Sequence, residues 1–123
     1  MSSENNNNIE IEIENAKITN VSSTMADHGM LIFYITLEGN GWVTNYGGYG
    51  IGKGYLGAKE FSGFDKGLEV MMRIMDVVGV DTWEGLKGKF VRVKKSSLGQ
   101  PITTIGNLIK NNWFDIKDFF KNS

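Results

Sequence analysis

The sequence predicts an α+β fold: an antiparallel β-sheet of about five strands packed on one main α-helix, with a short C-terminal helix. Three observations carry this. Residues 9–46 hold three β-patterned stretches separated by short turn signals. Residues 62–78 hold the one long run with apolar residues at helical spacing. Residues 90–109 return to β patterning before a last apolar helical stretch at 113–120. The resulting order, β-β-β-α-β-β-α, suits an antiparallel sheet covered by a helix.

Each element has its own signal. Residues 1–8 are polar with an asparagine tract and are expected to be a disordered tail, leaving 9–123 as a single α+β domain. Residues 9–14 alternate Ile-Glu, which places Ile9, Ile11 and Ile13 on one face of a half-buried strand and the glutamates on the other. That strand continues through Ile18 to Val21. Asp27-His28-Gly29 forms a turn. Residues 30–38, MLIFYITLE, make a second strand with apolar residues on both faces, hence a central one. Gly39-Asn40-Gly41 is a hairpin signal, and Trp42 opens a third strand. In the helix, Phe64, Leu68, Met71, Met72, Met75 and Val78 form the apolar stripe, with Ser62 as N-cap and Gly79 as stop. Glu69 and Arg73 are spaced as an i,i+4 ion pair. Residues 90–94 and 102–109 supply the last two strands, and residues 113–120 the C-terminal helix.

Composition narrows the function classes. The chain has 123 residues and no cysteine, which removes disulfides, thiolate metal sites and cysteine nucleophiles. Its one histidine, His28, lies in a turn, so neither a Ser-His-Asp set nor a histidine metal site is assembled. No catalysis, cofactor or metal is expected. No apolar run of membrane-spanning length and no signal peptide is found, and the lack of cysteine suits a reducing cytoplasm. Charge is uneven: residues 1–84 carry 12 acidic and 5 basic side chains, and residues 85–123 carry 2 and 8. The two halves therefore either pair with one another or offer a basic face to an anionic partner.

The stretch from 39 to 57 holds eight glycines with Trp42, Tyr46, Tyr49 and Tyr55. It contains G-x-x-x-x-G-K and G-x-G-x-x-G patterns, but lacks the Ser or Thr, the helix and the βαβ context that phosphate binding requires. Two readings stay open: a bulged, twisted strand relieved by glycine, or a ligand-facing loop in which Tyr46, Tyr49 and Tyr55 stack and Lys53 meets an anion. Phe90, Arg92 and Lys94 share a strand face by alternation, which suits a solvated face or a stacking-plus-charge surface.

The succession LEGNGW, YGGYG, GLEVMMRIMDVVGVDTWEGLKGKFVRVK and ITTIGNLIKNNWFD, from about Leu31 to Asp115, resembles a family of small phage and prophage proteins. The most specific pieces are Gly79-Val80, Trp83-Glu84, Leu86 and Gly88-Lys89 leading into Val91-Arg92-Val93, and Ile105-Gly106 followed by Trp113-Phe114. Proteins of this kind often antagonise host defence. By analogy with anti-Thoeris sponges, the resemblance implies a homo-oligomer that binds and sequesters a cyclic nucleotide or ADP-ribose-derived immune signal. Tyr46, Tyr49, Lys53, Tyr55, Arg92 and Lys94 are the expected ligand residues, read from the chain itself. Two alternatives are a protein–protein inhibitor of a host defence complex such as a CRISPR effector, with Glu10, Glu12 and Glu14 imitating phosphates, and a single-stranded nucleic-acid binder.

Overall fold

A computed structural model of the chain describes residues 9–54, 57 and 59–121; the polar stretch 1–8 lies outside them. The strands are β1 (Ile11–Ala26), β2 (Met30–Gly39), β3 (Trp42–Lys53), β4 (Ser62–Gly63), β5 (Phe90–Ser96), β6 (Thr104–Gly106) and β7 (Trp113–Asp115), with helices α1 (Gly67–Val78) and α2 (Ile116–Lys121). All neighbours pair antiparallel in one sheet of order β4-β3-β2-β1-β5-β6-β7. This corrects the expected α+β architecture of about five strands on one main helix. The described residues form mostly a seven-stranded sheet, with two short α-helices among them.

The two unforeseen strands span two and three residues, too few to carry a period-two pattern. β7 also lies within the apolar spacing assigned to a C-terminal helix. That helix starts only at Ile116 because the Asp115 carboxylate caps it: Oδ1 accepts from the amides of Lys117 at 2.9 Å and Asp118 at 3.2 Å. Likewise α1 begins at Gly67 rather than Ser62. Ser62 pairs with Lys53, and the Phe64 amide donates to the Ile51 carbonyl at 3.1 Å, so the segment before the helix is held as an extended edge. Gly79 ends α1 in the left-handed region at φ 91°, its amide donating to Met75 O at 2.8 Å.

Two bulged strands set which residues face the core. β1 gains an extra residue between Ile18 and Asn20. Its inward positions are therefore Ala16 and Ile18 before the bulge, and Val21, Ser23 and Met25 after it. β3 is irregular where it passes Ile32–Tyr34 of β2, and Gly47 and Gly48 take φ of 113° and 83° there. An added Cβ on Gly47 would lie 2.8 Å from the Phe33 carbonyl, so the backbones approach as only glycine permits. The result is that Tyr46, Tyr49 and Ile51 all turn inward.

The core fills the concave face. Phe33, Ile35 and Leu37 of β2, Val91 and Val93 of β5 and Ile105 of β6 are fully buried, and Val70, Ile74 and Val77 of α1 pack onto them. The sheet curls until β3 approaches the segment before β6: Tyr46 Oη donates to Thr103 O at 3.0 Å, and Tyr49 stacks on Phe120 of α2 at 4.4 Å.

Candidate functional site

Helix α1 carries two apolar stripes. Gly67, Val70, Ile74 and Val77 form the buried one. The stripe the spacing assigned to the core is offset from it: Leu68 and Met72 are 74% and 60% exposed, and Phe64 just before the helix is 39% exposed. Met71, Met75 and Val78 lie at the boundary, partly buried against the core. The apolar surface of this helix exceeds what the sheet covers.

The surplus faces a cleft of about 530 Å³ between the start of α1 and the end of the sheet. One wall is Met25 of β1, Leu31 of β2 and Ile51 of β3; the other is Phe61, Phe64 and Leu68. Gly67 lets the two walls approach, since an added Cβ there would sit 2.5 Å from the Ile51 carbonyl. Among the described residues, the polar side chains at the cleft are Ser23, Ser62 and Lys53, and no carboxylate lines it. A volume of this size matches small-molecule sites, which span roughly 300–1,000 Å³ and are mostly apolar with a few placed polar groups. The cleft can therefore take a flat or branched apolar body, with the Lys53 ammonium as its one charged partner among the described residues.

The six residues singled out in the sequence do not meet on one surface. Lys53 lines the cleft. Tyr46 is 1% exposed in the core, and burial, reinforced by the Asp115 charge, pushes its phenol far above the usual tyrosine range, so it stays neutral. Tyr49 is covered by Phe120. Tyr55 lies outside the described residues. Arg92 and Lys94 point to the opposite, convex face of the sheet, where both stand over the Trp113 ring at 4.6 and 4.7 Å. Arg92 is also a structural clamp: Nε donates to Asn107 O and Nη2 to Lys110 O, each at 2.8 Å. Sequence reasoning missed Met25, Phe61 and Leu68 as cleft residues; the signal was a helix apolar on more than one face.

At the other end of β1, the isoleucine face is the reverse of expectation. Parity runs unbroken from Ile11 to Ile18, so Glu12 and Glu14 share the side of Ala16 and Ile18, while Ile9, Ile11 and Ile13 are 46%, 56% and 52% exposed. Glu14 accepts the Trp42 indole N–H at 3.0 Å and lies 3.4 Å from the Lys95 ammonium. The indole hydrogen bond, helped by the Lys95 charge and opposed by partial burial, holds the Glu14 carboxyl below its usual range. Lys95 also sits 4.8 Å from the Trp42 ring centre.

Among the described residues, no group of three or more His, Cys, Asp or Glu side chains is placed to hold a metal ion. No helix among them is long and apolar enough to cross a membrane. Set against protein-family models, curated proteins and solved structures, the chain matches none of them.

Proposed function

We propose that this is a binding protein, not an enzyme, and that it withdraws a small molecule from solution into the cleft between α1 and the end of the sheet. The ligand has a flat or branched apolar body and one anionic group. The observation that carries this is the uncovered stripe Phe64–Leu68 facing Met25, Leu31 and Ile51 across an otherwise apolar space with Lys53 beside it. A multiply phosphorylated signal finds one cation here among the described residues, so the reading narrows the nucleotide sponge to a weakly charged ligand. The use in an infected cell, sequestering a host defence signal, rests on the phage-protein resemblance between Leu31 and Asp115.

The test is a fluorescence titration with 1-anilinonaphthalene-8-sulfonate, an aromatic monoanion of the proposed class. Saturable one-to-one binding with native near-ultraviolet circular dichroism is expected. Leu68→Asp should abolish it and Arg92→Ala should leave it unchanged. Binding unaffected by Leu68→Asp would remove the cleft from consideration.

A second reading keeps a phosphorylated nucleotide and moves it to the convex face, because two cations share the Trp113 ring there. Quenching of tryptophan fluorescence by ATP, lost in Trp113→Phe, would favour it over the cleft.

A further inference from the structure

Among the described residues, the N-terminal half of β1 has a partner on one side only. Its ladder with β5 runs from Ile11↔Ser96 to Lys17↔Phe90, whereas β2 joins only at Lys17↔Glu38 and turns away at Gly39. Hydrogen-bond parity follows from one contact: Ser97 N donates to Glu10 O at 2.9 Å in the same register, as Ile18 N does to Lys89 O and Gly88 N to Ile18 O farther along. Even-numbered residues of β1 therefore bond to β5. The amides and carbonyls of Ile11, Ile13 and Asn15 point the other way, into the place β2 has vacated. A concavity of about 590 Å³ lies along this edge, lined by Glu12, Ile13, Glu14, Asn15 and Asn40.

An open edge of this kind pairs with any compatible strand unless something selects the partner. Here the selection is written on its two faces. The convex side shows Ile11 and Ile13, both more than half exposed, and the concave side shows the carboxylates of Glu10, Glu12 and Glu14 against one ammonium among the described residues, Lys95. A second copy paired antiparallel about Ile13 would set Glu12 opposite Glu14 twice, and like charges directly opposite are destabilising. A strand carrying cations on one face and apolar side chains on the other satisfies both rows. We propose that residues 11–15 are a β-augmentation site for an extended segment of another protein in which basic and apolar residues alternate. Backbone hydrogen bonds to Ile11, Ile13 and Asn15 would supply affinity, and the glutamate row would supply selectivity.

The inference is independent of the cleft and is tested with a fluorescently labelled, end-capped peptide of alternating lysine and valine, long enough to span residues 11–15. A glutamate–valine peptide serves as control, and anisotropy is the readout. The lysine peptide should bind saturably and the control should not. Ile13→Pro removes an amide that faces away from β5, so the fold is kept while affinity drops by about tenfold or more, the scale of losing a hydrogen bond within an interface. Glu12→Lys should weaken the lysine peptide without that backbone change, and it decides the matter if the proline variant does not fold. No binding of the lysine peptide, equal binding of both peptides, or full affinity in Glu12→Lys would overturn the proposal. So would a homodimer that Ile13→Pro abolishes, which would assign the edge to a second copy.

Discussion

The two ends of β1 leave opposite kinds of surface uncovered. At its C-terminal end, Met25 joins Leu31, Ile51 and the start of α1 around an apolar cleft that, among the described residues, has one cation and no carboxylate. At its N-terminal end, an open backbone edge carries isoleucines on one side and glutamates on the other. Between them, Ala16 and Ile18 are buried in the core. The middle of the strand serves stability. The ends, where β2 and α1 stop covering it, are where exposed apolar area accumulates, and such area on a small domain marks contact with something else.

The sharpest way to break this contrast uses the two stripes of α1. Ile74→Ala should destabilise by about 2–5 kcal/mol, because Ile74 is fully buried. Leu68→Ala should change stability by no more than about 0.5 kcal/mol, because Leu68 is 74% exposed. Urea denaturation checks both, and equal losses would mean that Leu68 belongs to the core. Gly67→Ala comes next: with its Cβ 2.5 Å from the Ile51 carbonyl, it should cost about 1–3 kcal/mol and shift α1 away from β3, weakening probe binding as well.

The cation of the cleft should matter less. Lys53 is exposed, so Lys53→Met should weaken an anionic probe by a few-fold, in line with about 0.2–1 kcal/mol for an exposed charge contact. A neutral analogue of the probe should lose nothing. A loss for both would give Lys53 a packing role instead.

At the far end, the Glu14–Trp42–Lys95 cluster supplies a pH dependence. The Glu14 carboxyl is held below its usual value of 4.5, so its share of stability is complete above that pH and is lost as pH falls through the lowered value. The midpoint of thermal unfolding should therefore drop on acidification from pH 5 toward about pH 3, and more steeply than in Glu14→Gln. Parallel profiles would mean that the indole hydrogen bond does not discriminate between the two protonation states. The smallest effect belongs to the exposed Glu69–Arg73 pair at 2.8 Å, which forms as its i,i+4 spacing predicts and should contribute about 0.3–0.5 kcal/mol in a double-mutant cycle.

Local features of the fold were legible in the residues, but its seven-stranded architecture was not. The hairpin at Gly39-Asn40-Gly41, the turn at Asp27–Gly29, the central place of β2 and the stop at Gly79 all follow from local chemistry. What was not legible depends on distant partners. Ile9, Ile11 and Ile13 alternate as a buried face would, but the bulge near Asn20 and the pairing with Val91 and Val93 decide that the other parity faces the core. β4 and β7 exist only because β3 and β6 are there to pair with them. Of the candidate site, Lys53 alone was visible; Phe64 and Leu68 were seen as apolar and assigned to the interior. Periodicity reports which residues share a face, and tertiary packing decides which face is covered.

The most direct measurement is a two-dimensional ¹H–¹⁵N spectrum of the labelled protein titrated with 1-anilinonaphthalene-8-sulfonate. The cleft predicts that the largest shifts fall on the amides of Gly52, Lys53, Gly63, Gly67 and Leu68, with Arg92, Lys94 and Trp113 unmoved. Shifts centred on Arg92, Lys94 and Trp113, or spread over the whole sheet, would contradict it.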